Sequence, residues 1–431
     1  MLKEVSHKSN LKNKSMLDLY LYFLKLGTFC FGGPIALAAK MERDLVEKKK
    51  VVSLQEYKDG LALAQLAPGP MATQLAMYIG YIRGGFIGST LVSLALILPS
   101  FFIVLALSAL YVKFNGLPWL QAMFYGISAA VIAVIAKGSY KLLKNTIHTP
   151  LLWVIAIVLA IMTAVTREEN FLAFLGAGML TMLVYAYRHT EIFAVNGLGN
   201  NKSRDNLEKR RISNTTTKTI IKKNANIFRK NNQNKNKRTN KSMLAFFLPA
   251  SLLAASSSSL LLTIFLYFVK VSLFVFGSGL AIVPFLYGGV VTNYHWLDER
   301  QFLDAVAIAM ITPGPIVITV AFIGYLVAGF KGAVLAALGM FLPVYIVTIT
   351  LTPIFAKISR NVYVRGFVDG ITAAAFGALA GAVFVLATKS LVDVTTLIIF
   401  AVTLLIVFRT KIPEPVIILA AGIVGVAVSV I

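Results

Sequence analysis

Apolar runs of about twenty residues recur along nearly the whole chain, and they constrain the fold more than any other feature. Twenty helical residues rise about 30 Å, the thickness of the hydrocarbon core of a bilayer. Of the 431 residues, 58% are apolar and only 14% charged, whereas a soluble domain carries about 25% charged residues. A soluble enzyme, a secreted disulfide scaffold and a disordered chain are therefore excluded. The sequence predicts an all-α polytopic membrane protein. Its single cysteine, Cys30, cannot form an intramolecular disulfide. His7, His148, His189 and His295 are scattered, so no metal or other cofactor is expected. The basic tail at 1–16 runs directly into a full-length span, which reads as a start-transfer helix rather than a cleaved signal.

The net charge of +23 is concentrated. Between Arg188 and Ser242 there are 15 Lys/Arg and 3 Asp/Glu in an Asn-rich stretch without hydrophobic period. That composition predicts a cytoplasmic linker over 188–242 that obeys the positive-inside rule. Contact with anionic headgroups is a secondary reading. Nucleic acid is not expected as a partner, because the stretch lacks interleaved aromatics. The linker separates membrane regions at 17–187 and 262–431, with 243–261 read as an additional crossing. Spans are predicted at 17–39, 54–82, 86–112, 120–143, 151–166 and 171–187, then at 262–287, 300–327, 330–355, 366–388, 391–408 and 414–431. With the N-terminus inside, this arrangement places Lys357, Arg360, Arg365, Arg409 and Lys411 inside and the C-terminus outside. It leaves Lys40, Arg43 and Lys48–Lys50 outside, against the rule.

The two regions are copies. An offset of 245 residues lays Lys25 on Lys270, Phe29 on Phe274, Gly32 on Gly277, Asp59 on Asp304 and Pro68-Gly69-Pro70 on Pro313-Gly314-Pro315. After one deletion the offset becomes 244 and pairs Gly80 with Gly324, Gly88 with Gly332 and Pro99 with Pro343. Two homologous halves of about six helices each, in opposite orientation, form the architecture of alternating-access transporters.

Such transporters bind substrate where paired helices are broken by Gly or Pro. Here the breaks are Phe-Gly-Gly-Pro at 31–34 with Phe-Gly-Ser-Gly at 276–279, and the two Pro-Gly-Pro runs. Capping boxes at Ser53–Glu56 and Asp298–Gln301 start the second helices, which puts each Pro-Gly-Pro break about 22 Å along. Free N–H groups at a restarted helix suit an anion. The candidate substrate-binding residues are thus Gly32, Gly33, Pro68, Gly69, Pro70, Gly277, Gly279, Pro313, Gly314 and Pro315, with Gln65, Thr73, Gln74 and Thr312 as flanking polar groups. Lys25 and Lys270 either attract an anion or snorkel to the headgroups. Asp59 and Asp304 are either proton carriers or interfacial residues near a helix start. Arg83, without a basic counterpart, reads as an anchor at the end of its span. No catalytic set is recognisable, so an enzyme is not expected.

At these same residues the sequence resembles the chromate ion transporter family in its long, two-domain form. The resemblance is carried by Phe-Gly-Gly-Pro at 31–34, Gln-Leu-Ala-Pro-Gly-Pro at 65–70, Gln-Leu-Ala-Met-Tyr-Ile-Gly-Tyr at 74–81 and Ile-Leu-Pro at 97–99. In the second half it is carried by Phe-Gly-Ser-Gly at 276–279, Thr-Pro-Gly-Pro at 312–315, Phe-Ile-Gly-Tyr at 322–325 and Phe-Leu-Pro at 341–343. It implies a plasma (inner) membrane protein that exports chromate, a divalent tetrahedral oxyanion, on the membrane potential or a proton gradient. Chromate resistance follows from such export. The alternatives are sulfate or another oxyanion as substrate and, from other classes, a passive anion channel or a membrane scaffold. The bilayer is the other expected partner, and assembly into a homo-oligomer is left open.

Overall fold

The computed structural model describes residues 2–31, 34–114, 117–167, 170–199, 258–276, 279–355, 359, 361–410 and 412–430. Gly32, Gly33, Gly277, most of the linker and residues 243–257 of the additional crossing lie outside the described residues. Residues 1–185 and 260–431 form one compact unit, and 186–259 fall in a second. Of that second unit, the described residues continue the helix ending at Gly199 and begin the one starting at Ser258.

Every regular element among the described residues is a helix. The first half contains α1 (Leu2–Phe29), α2 (Pro34–Met41, continued by a π-helix at Glu42–Lys48), α3 (Leu54–Leu66), α4 (Met71–Phe114), α5 (Pro118–Thr146), α6 (Pro150–Thr166) and α7 (Phe171–Gly199). The second contains α8 (Ser258–Ser272), α9 (Ile282–Leu286, entered by a 3₁₀ turn at Gly279–Ala281 and continued by a π-helix at Tyr287–Asn293), α10 (Glu299–Ile311), α11 (Thr319–Leu351, entered by a 3₁₀ turn at Ile316–Ile318), α12 (Val362–Ser390), α13 (Val394–Arg409) and α14 (Glu414–Val430). The repeat extends to element ends. Adding 245 to α3 or to the first π-helix, or 244 to α5, gives the exact limits of its partner.

The broken segments do not cross the membrane as the sequence predicts for 17–39, 54–82, 262–287 and 300–327. Each is a hairpin. α3 has 13 residues, about 20 Å of helix, which falls short of a hydrocarbon core of about 30 Å. After the Pro-Gly-Pro break the chain turns back, so Gly60 packs against the ring of Tyr78. The Arg83 guanidinium meets Glu56 at 2.6 Å. In one continuous helix residues 60 and 78 would lie about 27 Å apart. The α1–α2 segment reverses in the same way, bringing the Lys49 ammonium over the ring of Tyr22. In its second-half counterpart the Tyr267 hydroxyl donates to the Phe285 carbonyl at 2.6 Å.

A second reversal lies within α4 at Gly85 (φ +62°) and within α11 at Gly329 (φ +60°). The backbones of Gly80 and Gly88 touch there, as do those of Gly324 and Gly332. Beyond the bend, 86–114 and 330–351 are long enough to cross. Six segments per half therefore remain, two as hairpins and four as single apolar helices, of which 86–114, α5, 330–351 and α12 are long and apolar enough to cross a membrane. Because a hairpin returns to its own face, Lys40, Arg43 and Lys48–Lys50 move to the face of the N-terminus. This removes the one violation of the positive-inside rule.

The copies run in opposite directions and interlock. On α5 and α14, Gly126 meets Ala421 while Ala122 meets Gly425, so these helices are antiparallel. On α6 and α12, Gly377 meets Ala156 and Gly381 meets Ala160, so these are parallel. α5 and α6 are joined by a turn at 147–149, so α12 runs against α5, its own copy. Small residues allow this approach of backbones, the usual device where lipid supplies no hydrophobic drive between helices. Outside, Leu91, Phe102, Ile157, Ile161, Leu405 and Ile423 are exposed. Such a surface suits lipid.

Candidate central anion site

The four hairpin tips meet where the halves interlock. α3 ends because Pro68 and Pro70 cannot donate to the preceding turn, and the chain emerges extended at Ala67. There the Gly69 N–H donates to the Val275 carbonyl at 2.5 Å, and Pro68 faces Phe276 in an isolated antiparallel bridge. The symmetric partner of that bond runs from the Gly314 N–H to the Cys30 carbonyl at 3.0 Å. Each Pro-Gly-Pro tip is thus held by the other half's broken helical segment. Only glycine suits these points. Gly69 has φ +133° and a Cβ there would strike Val344, while Gly314 has φ +102° and a Cβ would strike Ser100.

Between the tips lies a small cavity of about 10 Å³, the space of one water. Leu37, Pro70, Ala72 and Thr73 line it from the first half, and Gly279, Pro315, Ile316 and Val317 from the second. Two helix starts abut it. The first intrahelical bond after Pro70 is from Gln74 N–H to the Pro70 carbonyl at 3.0 Å, so the N–H groups of Met71, Ala72 and Thr73 are first-turn donors. Ile318 N–H bonds the Pro315 carbonyl at 3.0 Å, which leaves Ile316 and Val317 in the same role. Residues of both helix starts line the same small space.

Among the described residues Thr73 is the one polar side chain lining the cavity, and its fully buried hydroxyl has no partner there. Gln74 is also fully buried. Its Nε2 donates to the Pro68 carbonyl at 2.6 Å, while its Oε1 has no partner. Thr312 and Pro313 are buried beside the second tip, with the Thr312 hydroxyl donating back to the Ile308 carbonyl. The structure therefore brings together Pro68, Gly69, Pro70, Thr73, Gln74, Gly279, Thr312, Pro313, Gly314 and Pro315. It leaves Lys25, Lys270 and Gln65 exposed and outside the cavity, with the Lys270 ammonium 3.7 Å over the ring of Phe171. The apolar wall of Leu37, Ala72, Ile316 and Val317 escaped the sequence reading. Its only signal is that these residues lie within a turn or so of a break.

Two open basins of about 700 and 660 Å³ flank the core at equivalent positions, one around Lys50–Glu56 with Asp59 and Arg83, the other around His295–Gln301. Asp59 is half-buried beside the first and accepts from Gln55 at 2.8 Å. Asp304, one turn beyond the second, is only 1% exposed.

A family model described as "Chromate transporter" matches residues 17–182 and again 262–426. The chain belongs to the chromate transporter family. A chromate transport protein of Cupriavidus metallidurans is 46% identical over 415 residues, covering 95% of this chain and 92% of its own length. A probable chromate transport protein of Synechococcus elongatus is 46% identical over 417 residues, or 96% and 95% of the two chains. An uncharacterized transporter of Bacillus subtilis is 26% identical over 164 residues, 92% of its own length but 37% of this chain. Its size is that of one half. No solved structure matches the chain.

Proposed function

We propose that this chain is a secondary active transporter of the plasma (inner) membrane that exports chromate from the cytoplasm and so confers chromate resistance. One observation carries the reading: two helix starts from opposite halves abut one small cavity lined by a threonine hydroxyl that has no partner among the described residues. Backbone N–H groups and a positive dipole end recognise charge and tetrahedral oxygen geometry. The cavity has room for one water, so a tetrahedral oxyanion enters only when the tips separate. Separation toward one basin and then the other is alternating access. The names of the closely similar relatives favour chromate as the oxyanion. Lys25 and Lys270 stand five residues before the Cys30 and Val275 carbonyls, about 7 Å of helix. They supply attraction at a distance rather than direct ligands.

The test is uptake of radiolabelled chromate into everted vesicles, energised and de-energised, with excess sulfate as competitor. Saturable accumulation that collapses with the gradient is expected. Linear, gradient-independent entry without counterflow would make the chain a channel. Absence of chromate movement in inserted protein, with movement of sulfate, would replace the substrate.

A further inference from the structure

The two matched acids differ in their surroundings. Asp304 on α10 accepts from the Tyr111 hydroxyl at 2.7 Å through Oδ2, and its Oδ1 has no partner. Tyr111 lies near the end of α4, so the bond joins a crossing of the first half to a hairpin arm of the second. The offset of 244 places Phe355 where symmetry would put the equivalent of Tyr111. Phe355 packs in the cluster that holds Tyr57, Leu63 and Tyr78, in the hairpin that carries Asp59, but offers that acid no hydroxyl. One of two duplicated carboxyls has therefore been enclosed and given a cross-half donor, while the other stays at an open basin.

We propose that the Asp304–Tyr111 pair is the proton-exchanging element of this transporter, loading from the basin at His295–Gln301. This rests on the transport reading above and deepens its coupling. The basin is lined by Asp298, Glu299, Arg300 and Gln301, and Asp304 follows Arg300 by one helical turn. A proton from basin water binds Oδ1, the oxygen without a partner, while the Tyr111 hydroxyl continues to donate to Oδ2; no other bond changes.

The neighbours leave the carboxyl without a fixed counter-charge. No ion pair includes Asp304 among the described residues, and the charges nearest it are Arg300 and Asp298 at the start of its own helix. Around Tyr111, α5 presents Phe124 and α11 presents Phe322, with ring centroids 5.5 and 5.2 Å away. On α12, Lys389 is held by Glu299 at 3.3 Å. On the π-helix after α9, the Tyr287 hydroxyl donates to that same Glu299. On α14 the acid is Glu414, which faces Lys137 and Lys141 of α5. Asp304 leads along α10 to Thr312 at the tip, about 12 Å on. A change in its charge therefore acts on the arm that carries the Pro313-Gly314-Pro315 break.

The experiment uses purified full-length protein in liposomes loaded with chromate. It reads counterflow of radiolabelled chromate at equal pH and chromate-dependent proton movement with a pH-sensitive dye. Wild type should show both. Asp304→Asn should keep counterflow and lose proton movement, whereas Asp59→Asn should keep proton movement. Tyr111→Phe, which retains the carboxyl, should displace the pH midpoint of proton movement by about one unit, the worth of one hydrogen bond to a charged group. Proton movement that survives in Asp304→Asn overturns the inference. Wild-type counterflow without proton movement also overturns it, while leaving the transport reading intact; absent counterflow removes both. Should Asp304→Asn not fold, an unmoved pH profile in Tyr111→Phe overturns the inference.

Discussion

Gly314 and Thr73 show how much of the site rests on single atoms. Gly314→Ala places a Cβ against Ser100 at a positive φ. Such strain costs about 1–3 kcal/mol, so the purified variant should melt earlier and its chromate uptake should fall with the broken Cys30 contact. Thr73→Val keeps the shape and removes only the hydroxyl. Loss of one hydrogen bond to an anion, about 1.5–3 kcal/mol, predicts at least a roughly tenfold fall in uptake efficiency, with expression unchanged. Lys25→Ala should reduce uptake less than Thr73→Val, because its ammonium lies outside the cavity. Equal losses in vesicle uptake would return Lys25 to the site. The sequence marked Thr73 by its distance from a break, but nothing in it distinguished Thr73 from the exposed Gln65. Which way each side chain points depends on the reversal of the helix between them.

At the scale of the element, the composition of a break and the path of the chain through it are separate matters. Two prolines within three residues end a helix and permit a new one, but they do not set its direction. The same residues serve a kinked crossing and a hairpin. The contact of Gly60 with Tyr78 and the pair between Glu56 and Arg83 decide for the hairpin. The misplaced charges of Lys40–Lys50 were the trace it left in the sequence. In a Cys30→Ser background, Glu56→Cys and Arg83→Cys should each react with a membrane-impermeant thiol reagent from the same face. Labelling from opposite faces would restore the crossing. The capping boxes were fully legible, since Ser53 with Glu56 and Asp298 with Gln301 need only local geometry.

For the whole molecule, opposed and interlocked halves bring α7 at Tyr185 and the end of α14 to opposite faces. Reporter tags at residue 200 and at the C-terminus should therefore report opposite sides. Deletion of 195–240 should leave uptake near wild type, and a dead transporter would give the basic stretch a part in transport. The sequence by itself determined that the chain lies in a membrane, that it is duplicated at an offset of 245 and then 244, and where its helices stop. Those properties follow from apolar length, repeated identity and missing N–H donors, which are local or pairwise along the chain. Only the tertiary structure decided that the broken segments double back, that the tips bond across the halves, and that Asp304 is enclosed where Asp59 is not. The first depends on which side chains meet across some tens of residues and the other two on surfaces that come together across about 200 residues or more, and burial exists only once they have done so.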